Sequence, residues 1–458
     1  MSLVDAVAAS SSGPGWLWNE LGLDVRVRTD VVGKGLDALV GLALRRNPRR
    51  AHLLVSRVLG KHLPVRPAES LAAGHLLAAQ VRASWQTFGG DPAASAPLVL
   101  GYCETATSLG HSVADGLAGC DYLHTTRRIV PGATTLLDFD EAHSHATFHW
   151  LMPRDPELVR APRPLVLVDD ELSTGRTALG TIRALHAFAA RPSYTVATLF
   201  DARPAASRRA FDELEDRLGV PVRVVSLLSG ELVIPDDVTV RAERVRARYG
   251  GGADGSSTQS PTELNSVRYV TSKWPEELPD GARHGWSQSD RTLLDEVAPL
   301  VAKDVAAVLN EPSGRILVLG TEELMYAPLR IGDALDEIVS GEVVYHSTTR
   351  SPVHPIDAEG YAIRCAWTFP APDDPGRVSH VYNVRPGLYD DIVVVVDSAA
   401  NGRAATGVAG VNVSGVVDVS GMVGVLRRCA PVTVVTIPTR GPAGRPLTPP
   451  IGLTGGAR

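Results

Sequence analysis

The stretch Leu165-Val166-Leu167-Val168-Asp169-Asp170-Glu171-Leu172-Ser173-Thr174-Gly175-Arg176-Thr177 decides how this chain is read. Four aliphatic residues form a buried-strand run, acids end it, and a short Ser/Thr/Gly turn opens into a helical pattern over 177–190. Such a turn, with the first turn of the helix behind it, presents free backbone N–H groups suited to a phosphate. Gly175 permits close backbone approach, while Ser173, Thr174 and Thr177 carry hydroxyl donors. Two adjacent carboxylates, Asp169 and Asp170, suit the vicinal hydroxyls of a ribose. A phosphate cradle beside a diol clamp describes a ribose 5-phosphate site.

Outward from this stretch, β-branched runs alternate with helical patterns. Strands are expected at 97–101, 165–168, 195–200 and 222–228, and helices near 112–117, over 177–190 and over 205–218. That alternation implies a mostly parallel sheet covered on both faces, a doubly wound α/β fold. Gly250-Gly251-Gly252-Ala253-Asp254-Gly255-Ser256-Ser257 reads as a flexible linker. The expected organisation is a first domain at 1–249, with a hood at 1–95 and a core at 96–249. A linker at 250–263, a second α/β domain at 264–437 and a breaker-rich tail at 438–458 follow.

The second domain reads as a degenerate copy of the first. Leu98-Val99-Leu100-Gly101 parallels Leu317-Val318-Leu319-Gly320, and His124-Thr125-Thr126-Arg127 parallels His346-Ser347-Thr348-Thr349-Arg350. Ser144-His145 is echoed by Ser379-His380, and Val166-Leu167-Val168-Asp169 by Val394-Val395-Val396-Asp397. The copy then continues Ser398-Ala399-Ala400-Asn401-Gly402, without the second acid or the Thr-Gly turn. The same chemistry is not expected there.

Composition narrows the classes. The 458 residues carry 45 Lys and Arg against 51 Asp and Glu, a net charge of −6, which speaks against nucleic acid as a partner. The four cysteines, Cys103, Cys120, Cys365 and Cys429, form no CxxC pair, so neither a disulfide framework nor a cysteine zinc site is supported. Residues 1–15 lack the pattern of a signal peptide, and no apolar run reaches membrane-helix length. A cytoplasmic protein is expected. Neither GxxxxGK[ST] nor a GxGxxG after the first strand occurs.

The apolar run, acid pair, Thr-Gly turn and following Thr together resemble the phosphoribosyl pyrophosphate (PRPP) signature of type I phosphoribosyltransferases. The resemblance implies that Asp169 and Asp170 hold the ribose hydroxyls and Mg2+, the metal directly or through water or PRPP. It implies that Ser173, Thr174, Gly175, Arg176 and Thr177 hold the 5-phosphate. A pyrophosphate loop would fall on Gly101–Gly110, with Glu104, Thr105, Ala106 and Thr107 as its candidates, although the usual glycine pair is missing. A closing loop would lie within 125–164, where Glu141-Ala142-His143-Ser144-His145 resembles a segment of orotate phosphoribosyltransferases. His143, His145 and Arg128 are then candidates to close over the leaving group, Arg127 to bind pyrophosphate, and Lys61 in the hood to reach the site. His62 beside it shares that placement. A zinc site of His143, His145 and His149 lacks a supporting acid or cysteine pattern.

Thr349-Arg350-Ser351-Pro352 resembles the TRSP domain, named for that tetrad and found behind phosphoribosyltransferase domains in bacterial tellurite-resistance and stress-response clusters. His346, Arg350, Ser351 and His380 are the ligand candidates there. Together the resemblances imply transfer of 5-phosphoribose from PRPP to a nitrogen acceptor, a pyrimidine-like or specialised base, in making a nucleoside-like stress metabolite. Ser173 stands where 6-oxopurine enzymes commonly have an Asp, which speaks against hypoxanthine or guanine. The expected partners are PRPP, a small-molecule base, a second copy in a homodimer and other stress-cluster proteins, with no membrane. The alternative is a PRPP- or nucleotide-binding regulator without turnover.

Overall fold

The computed structural model describes residues 15–47, 51–86, 96–130, 132–140, 148–250, 264–374, 376–397 and 421–439. His143, His145, nearly all of the expected linker and most of the expected tail lie outside the described residues.

The first half supplies β1 (Asp24–Asp30), β2 (Val40–Arg45), β3 (His52–Ser56), β4 (Leu98–Gly101), β5 (Asp121–His124), β6 (Leu137–Asp140), β7 (Phe148–Leu151), β8 (Leu165–Leu172), β9 (Tyr194–Asp201) and β10 (Val222–Val233). The second half supplies β11 (Val267–Thr271), β12 (Arg315–Gly320), β13 (Glu342–Ser347), β14 (Val353–His354), β15 (Ala366–Pro370), β16 (Val378–Tyr382), β17 (Asp391–Asp397) and β18 (Val432–Ile437). One sheet runs β1-β10-β9-β8-β4-β5, parallel except for β1. The other runs β11-β18-β17-β12-β13 and is parallel throughout. The doubly wound α/β expectation holds. Both faces of the central strands are covered, which is why β9 and β17 are buried along their whole length and show no polar alternation.

Hydrogen-bond register relates the two halves. Leu100 lies opposite Leu123 and Leu167, as Leu319 lies opposite His346 and Val394. Matching Leu100 with Leu319 pairs Thr125-Thr126-Arg127-Arg128 with Thr348-Thr349-Arg350-Ser351 and needs no gap. It also places Asp397 at the position of Asp170, one residue from the sequence match with Asp169. Thr126 bridges Trp150 as Thr349 bridges His380, so His380 corresponds to Trp150 and not to His145.

Each half caps the edge of the other. Val65 exchanges two backbone hydrogen bonds with Tyr345 on β13 (3.0 and 2.7 Å), and Trp286 exchanges two of 2.8 Å with Tyr122 on β5. Edge strands with free N–H and C=O groups are thereby paired inside the chain. Each capping segment leads directly into a long helix, Pro67–Gln86 and Gln288–Ala306; the second opens with a capping box between Ser287 and Asp290. These helices pack with Thr107–Asp115 and Tyr326–Asp336, where His111 stacks on Tyr326 at 4.2 Å, and one apolar core runs through both halves. β14, just beyond the Thr349–Pro352 tetrad, joins β2 and β3 in a three-stranded hood sheet.

Candidate active site

A cavity of about 620 Å3 opens where β4 and β8 end, the position at which open parallel sheets place ligands. β8 continues to Leu172, so Asp169 and Asp170 stand on its last residues, half-buried in the cavity wall. Residues 173–177 continue the same wall. Gly175 has φ 72°, and a Cβ there would lie 2.5 Å from the ring of Phe211, so this turn requires glycine. The helix Arg176–Phe188 starts there, and its first N–H groups have no intrahelical acceptor. The Asp170 N–H donates to Asp169 Oδ1 at 3.0 Å. Burial raises the pKa of both carboxyls, with repulsion from Asp170 adding to the rise at Asp169. Burial and Asp170 push Glu171 up to about 7. The acid wall is short of positive charge.

The loop after β4 forms the facing wall, with Tyr102, Cys103, Glu104 and Thr105 lining the cavity. Ala106 and Thr107 lie buried behind it at the start of the helix Thr107–Asp115, where Thr107 Oγ1 donates to the Glu104 carbonyl at 3.0 Å. Glu104 accepts from Lys61 Nζ at 2.9 Å and pairs with Arg350 Nε at 2.6 Å. Burial pushes its carboxyl up, but Lys61 and Arg350 outweigh this and hold it at about 2. Lys61 is fully buried in that contact and in another with the Thr348 carbonyl at 3.3 Å, so it reaches the cavity only through Glu104. Burial pushes the Cys103 thiol up to about 12, which leaves it protonated rather than nucleophilic. Arg127 lines the cavity with Nη2 2.9 Å from His149 Nε2, and His149 Nδ1 is 2.8 Å from Thr125 Oγ1. Among the described residues no three His, Cys, Asp or Glu side chains are grouped to hold a metal.

The third wall belongs to the second half: Thr349, Arg350, Ser351, Pro352 and Arg377 line the same cavity. The sequence placed Arg350 and Ser351 in the second domain, and the structure brings them to the PRPP-type turn of the first. Arg350 Nε also lies 3.0 Å from Glu322, which Arg377 holds at 2.7 and 2.9 Å. The Ser351 N–H donates to Thr349 Oγ1 at 3.1 Å, and its carbonyl accepts from the Tyr382 hydroxyl at 2.6 Å.

Three candidates sit elsewhere. His346 is fully buried between the carbonyls of Gly60 (3.2 Å) and Tyr382 (2.9 Å), and His380 Nδ1 is 3.1 Å from Thr368 Oγ1. Burial lowers both to about 4, so both are neutral fixtures of the packing. Arg128, expected to close over the leaving group, is buried against the second half, with Nη1 2.5 Å from Asp397 and Nε 3.1 Å from Asp373.

Arg45, Leu53, Leu54 and His62 of the hood complete the lining. His62 Nε2 is buried without a hydrogen-bond partner among the described residues, and burial, with Lys61 adding to it, lowers the ring to about 3. It is a neutral imidazole facing a polar cavity. Leu53 and Leu54 carried no motif, because a β-hairpin of ordinary aliphatic residues becomes a lining only once it folds over the sheet. Arg377 lay hidden for the same reason, in the β15–β16 turn.

Residues 39–231 match the family model described as phosphoribosyl transferase (PRTase_2), and residues 280–411 match the TRSP domain C terminus to PRTase_2. No curated protein matches the chain significantly. Among solved structures, the chain is similar to the adenine phosphoribosyltransferase of Giardia lamblia in complex with 9-deazaadenine, at 15% identity over 43% of this chain and 98% of that one (TM-score 0.28). It is similar to the Saccharomyces cerevisiae adenine enzyme, at 12% identity over 42% and 96% (TM-score 0.26). A third is the hypoxanthine-guanine enzyme of L. donovani, at 14% identity over 37% and 83% (TM-score 0.24). Among the described residues no helix is long and apolar enough to cross a membrane. The two family matches, in this order along one chain, give it a phosphoribosyl transferase domain of the PRTase_2 type with a TRSP domain behind it.

Proposed function

We propose that the cavity transfers 5-phosphoribose from PRPP to a nitrogen of a small heterocyclic base and releases pyrophosphate. One observation carries the reading: the acid pair, the glycine turn, Arg127 and Arg350 meet on a single cavity, although they come from separate segments and both halves. Residues 173–177 would hold the 5-phosphate, and Asp169 and Asp170 the ribose hydroxyls. Arg127 and Arg350 offer planar, multi-donor groups to the pyrophosphate. Fixing both ends of the donor sets the position of C1, so much of the rate comes from orientation and from charge placed in advance.

The residues present fit Mg2+. Two neighbouring carboxylates supply oxygen ligands but leave most of an octahedron to water and substrate oxygens, the usual arrangement for this ion in phosphate chemistry. Burial raises both carboxyls and Asp170 repels Asp169, and a divalent cation would offset both effects. When bound, the ion would neutralise charge building on the departing pyrophosphate. The chain's own acids would remain beside the sugar, where negative charge favours a cationic transition state.

Leu53 and Leu54 offer apolar faces to a flat ring, and His62 Nε2 and Arg45 offer polar contacts at its edge. PRPP and such a base are the partners this reading requires. The residues of the TRSP domain supply one wall of this cavity.

The test is Mg2+-dependent pyrophosphate release from PRPP across a panel of purine, pyrimidine and other nitrogen heterocycles. Base-dependent release that disappears in Asp169→Asn/Asp170→Asn is the expected result. Tight PRPP binding with no release on any base would replace the transferase with a PRPP-binding regulator. Absence of PRPP binding would overturn the reading.

A further inference from the structure

The geometry points to Ser351 as the residue that keeps the cavity open, because its counterpart in the other half, Arg128, closes the equivalent place. Four paired hydrogen bonds establish the correspondence. The Cys103 N–H donates to Thr125 Oγ1 at 2.9 Å, as the Glu322 N–H donates to Thr348 Oγ1 at 3.1 Å. Thr126 Oγ1 and the Arg127 N–H donate to Glu323 of the opposite half at 2.7 and 2.9 Å, as Thr349 Oγ1 and the Arg350 N–H donate to Glu104 at 3.5 and 3.3 Å. The Arg128 N–H donates to Thr126 Oγ1 and the Ser351 N–H to Thr349 Oγ1, both at 3.1 Å. Lys61 on Glu104 is matched in turn by Arg283 on Glu323 at 3.3 Å. The strand register adds that Asp397 stands where Asp170 stands.

Within this pseudo-twofold frame the strand ends differ at Asp169, where the second half has Val396, and the facing loops differ at the position of Ser351 and Arg128. In the second half the side chain of Arg128 crosses the boundary and places Nη1 2.5 Å from Asp397, with Nε 3.1 Å from Asp373; Arg128 and Asp397 are buried and Asp373 is half-buried. The strand-end acid there is neutralised by a protein cation and is closed to ligand. In the first half the same backbone position carries Ser351, whose side chain is two heavy atoms long, and the cavity lies open beside Asp170. A guanidinium at this position would reach the acid that the donor needs. One chain therefore folds as a pair with one open site and one filled site. The tetrad acts in the open site through two residues: Arg350 supplies charge, and Ser351 supplies room.

Because this role of Ser351 rests on the proposed donor site, its test includes a readout that needs no donor. Ser351→Arg, Asp170→Asn and the double variant of the full chain form a thermodynamic cycle read by urea unfolding. The expected result is a stabilising coupling between the guanidinium introduced by Ser351→Arg and the carboxylate of Asp170, together with at least a 100-fold loss of PRPP–Mg2+ affinity in Ser351→Arg. Ser351→Ala should keep affinity within about threefold. No coupling, or undiminished PRPP binding in Ser351→Arg, would overturn the assignment. A wild type that fails to bind PRPP while the coupling is present would remove the donor site and leave the plug standing. Should Ser351→Arg not fold, Ser351→Cys in a Cys103→Ser background can be modified after folding with an aminoethyl or a methyl thiosulfonate, since Cys103 lines the cavity and the other three native cysteines are buried elsewhere. Loss of PRPP binding with the cationic group alone supports the assignment, and equal effects of both reagents overturn it.

Discussion

Arg350 Nε lies 2.6 Å from a carboxylate oxygen of Glu104, across the boundary between the two halves. Glu104 belongs to the loop where a pyrophosphate site is expected, and Arg350 to the tetrad of the TRSP domain. The pair makes the shape of the cavity depend on both halves at once. Lys61 on the same carboxylate, and Arg377 with Arg350 on Glu322, extend it into a small charge network. Breaking one member leaves a buried charge short of a partner, which costs more than the intact pair contributes.

Arg350→Met should therefore act on stability and function together. Glu104 keeps Lys61 and Glu322 keeps Arg377, so the expected loss is about 2–3 kcal/mol, below the full cost of a broken buried pair. The KM for PRPP should rise at least tenfold if Arg350 meets the pyrophosphate. Arg350→Lys should recover most of the stability and less of the KM, because a point charge does not replace a planar fork. Urea unfolding and steady-state kinetics on both variants check this.

Gly175→Ala tests the phosphate turn. The positive φ and the Phe211 ring 2.5 Å from a new Cβ both oppose the side chain, and a loss of about 1–3 kcal/mol is expected. PRPP affinity should fall at least tenfold as the turn moves. Adding Phe211→Ala removes the clash but not the backbone penalty, so it should restore part of the affinity. Calorimetric titration with PRPP separates the two contributions.

Much of this site was legible in the sequence, for a physical reason. Strand, acid pair and turn are contiguous in 165–177, and local chemistry at fixed spacing survives as a pattern. Arg127, Glu104 and Thr105 were within reach because they follow strands whose apolar runs are clear. What the sequence did not show is where segments meet. Lys61 and Arg128 looked like free cations, and only the fold reveals Glu104 and Asp397 opposite them. Arg350 and Ser351 are far from Asp170 along the chain, and the edge pairing that brings them near involves Val65 and Tyr345, which carry no motif. The duplication was visible, but Asp397 was matched one residue out of place because identical aliphatic runs do not fix a register.

Buried histidines near the domain boundary set the acid limit. Burial lowers His124 and His346 from 6.5 to about 4, and His62 to about 3. The unfolded chain binds protons that these rings refuse in the native chain, so their contribution to stability is complete above pH 6.5 and is lost as pH falls towards 4, while Glu171, raised to about 7, acts in the opposite sense. For a shift of this size each ring accounts for on the order of 3 kcal/mol at the acid end. The depressed Glu104 adds a further loss below its ordinary pKa of 4.5. Relative to His346→Gln, the native sequence should lose urea stability as pH falls from about 6.5 to about 4.5. A difference between the two chains that stays constant over this range would show that the His346 ring is charged in the folded protein.

The reciprocal edge pairing predicts that the covalent connection between the halves is dispensable once the chain has folded. Val65 with Tyr345 and Trp286 with Tyr122 supply four backbone bonds, and the apolar core runs through both halves without a break. Separation would expose two strand edges and the face shared by the four packed helices, so the folded state opposes it strongly. A protease site inserted within 251–263 and cut after folding should leave fragments that co-elute on size exclusion and keep PRPP binding. Gly60→Ala should weaken that association, since Gly60 has φ 70° and a Cβ there would overlap the Tyr345 ring. Fragments that separate on the column without denaturant would show that the edge pairing is too weak to hold the composite site together.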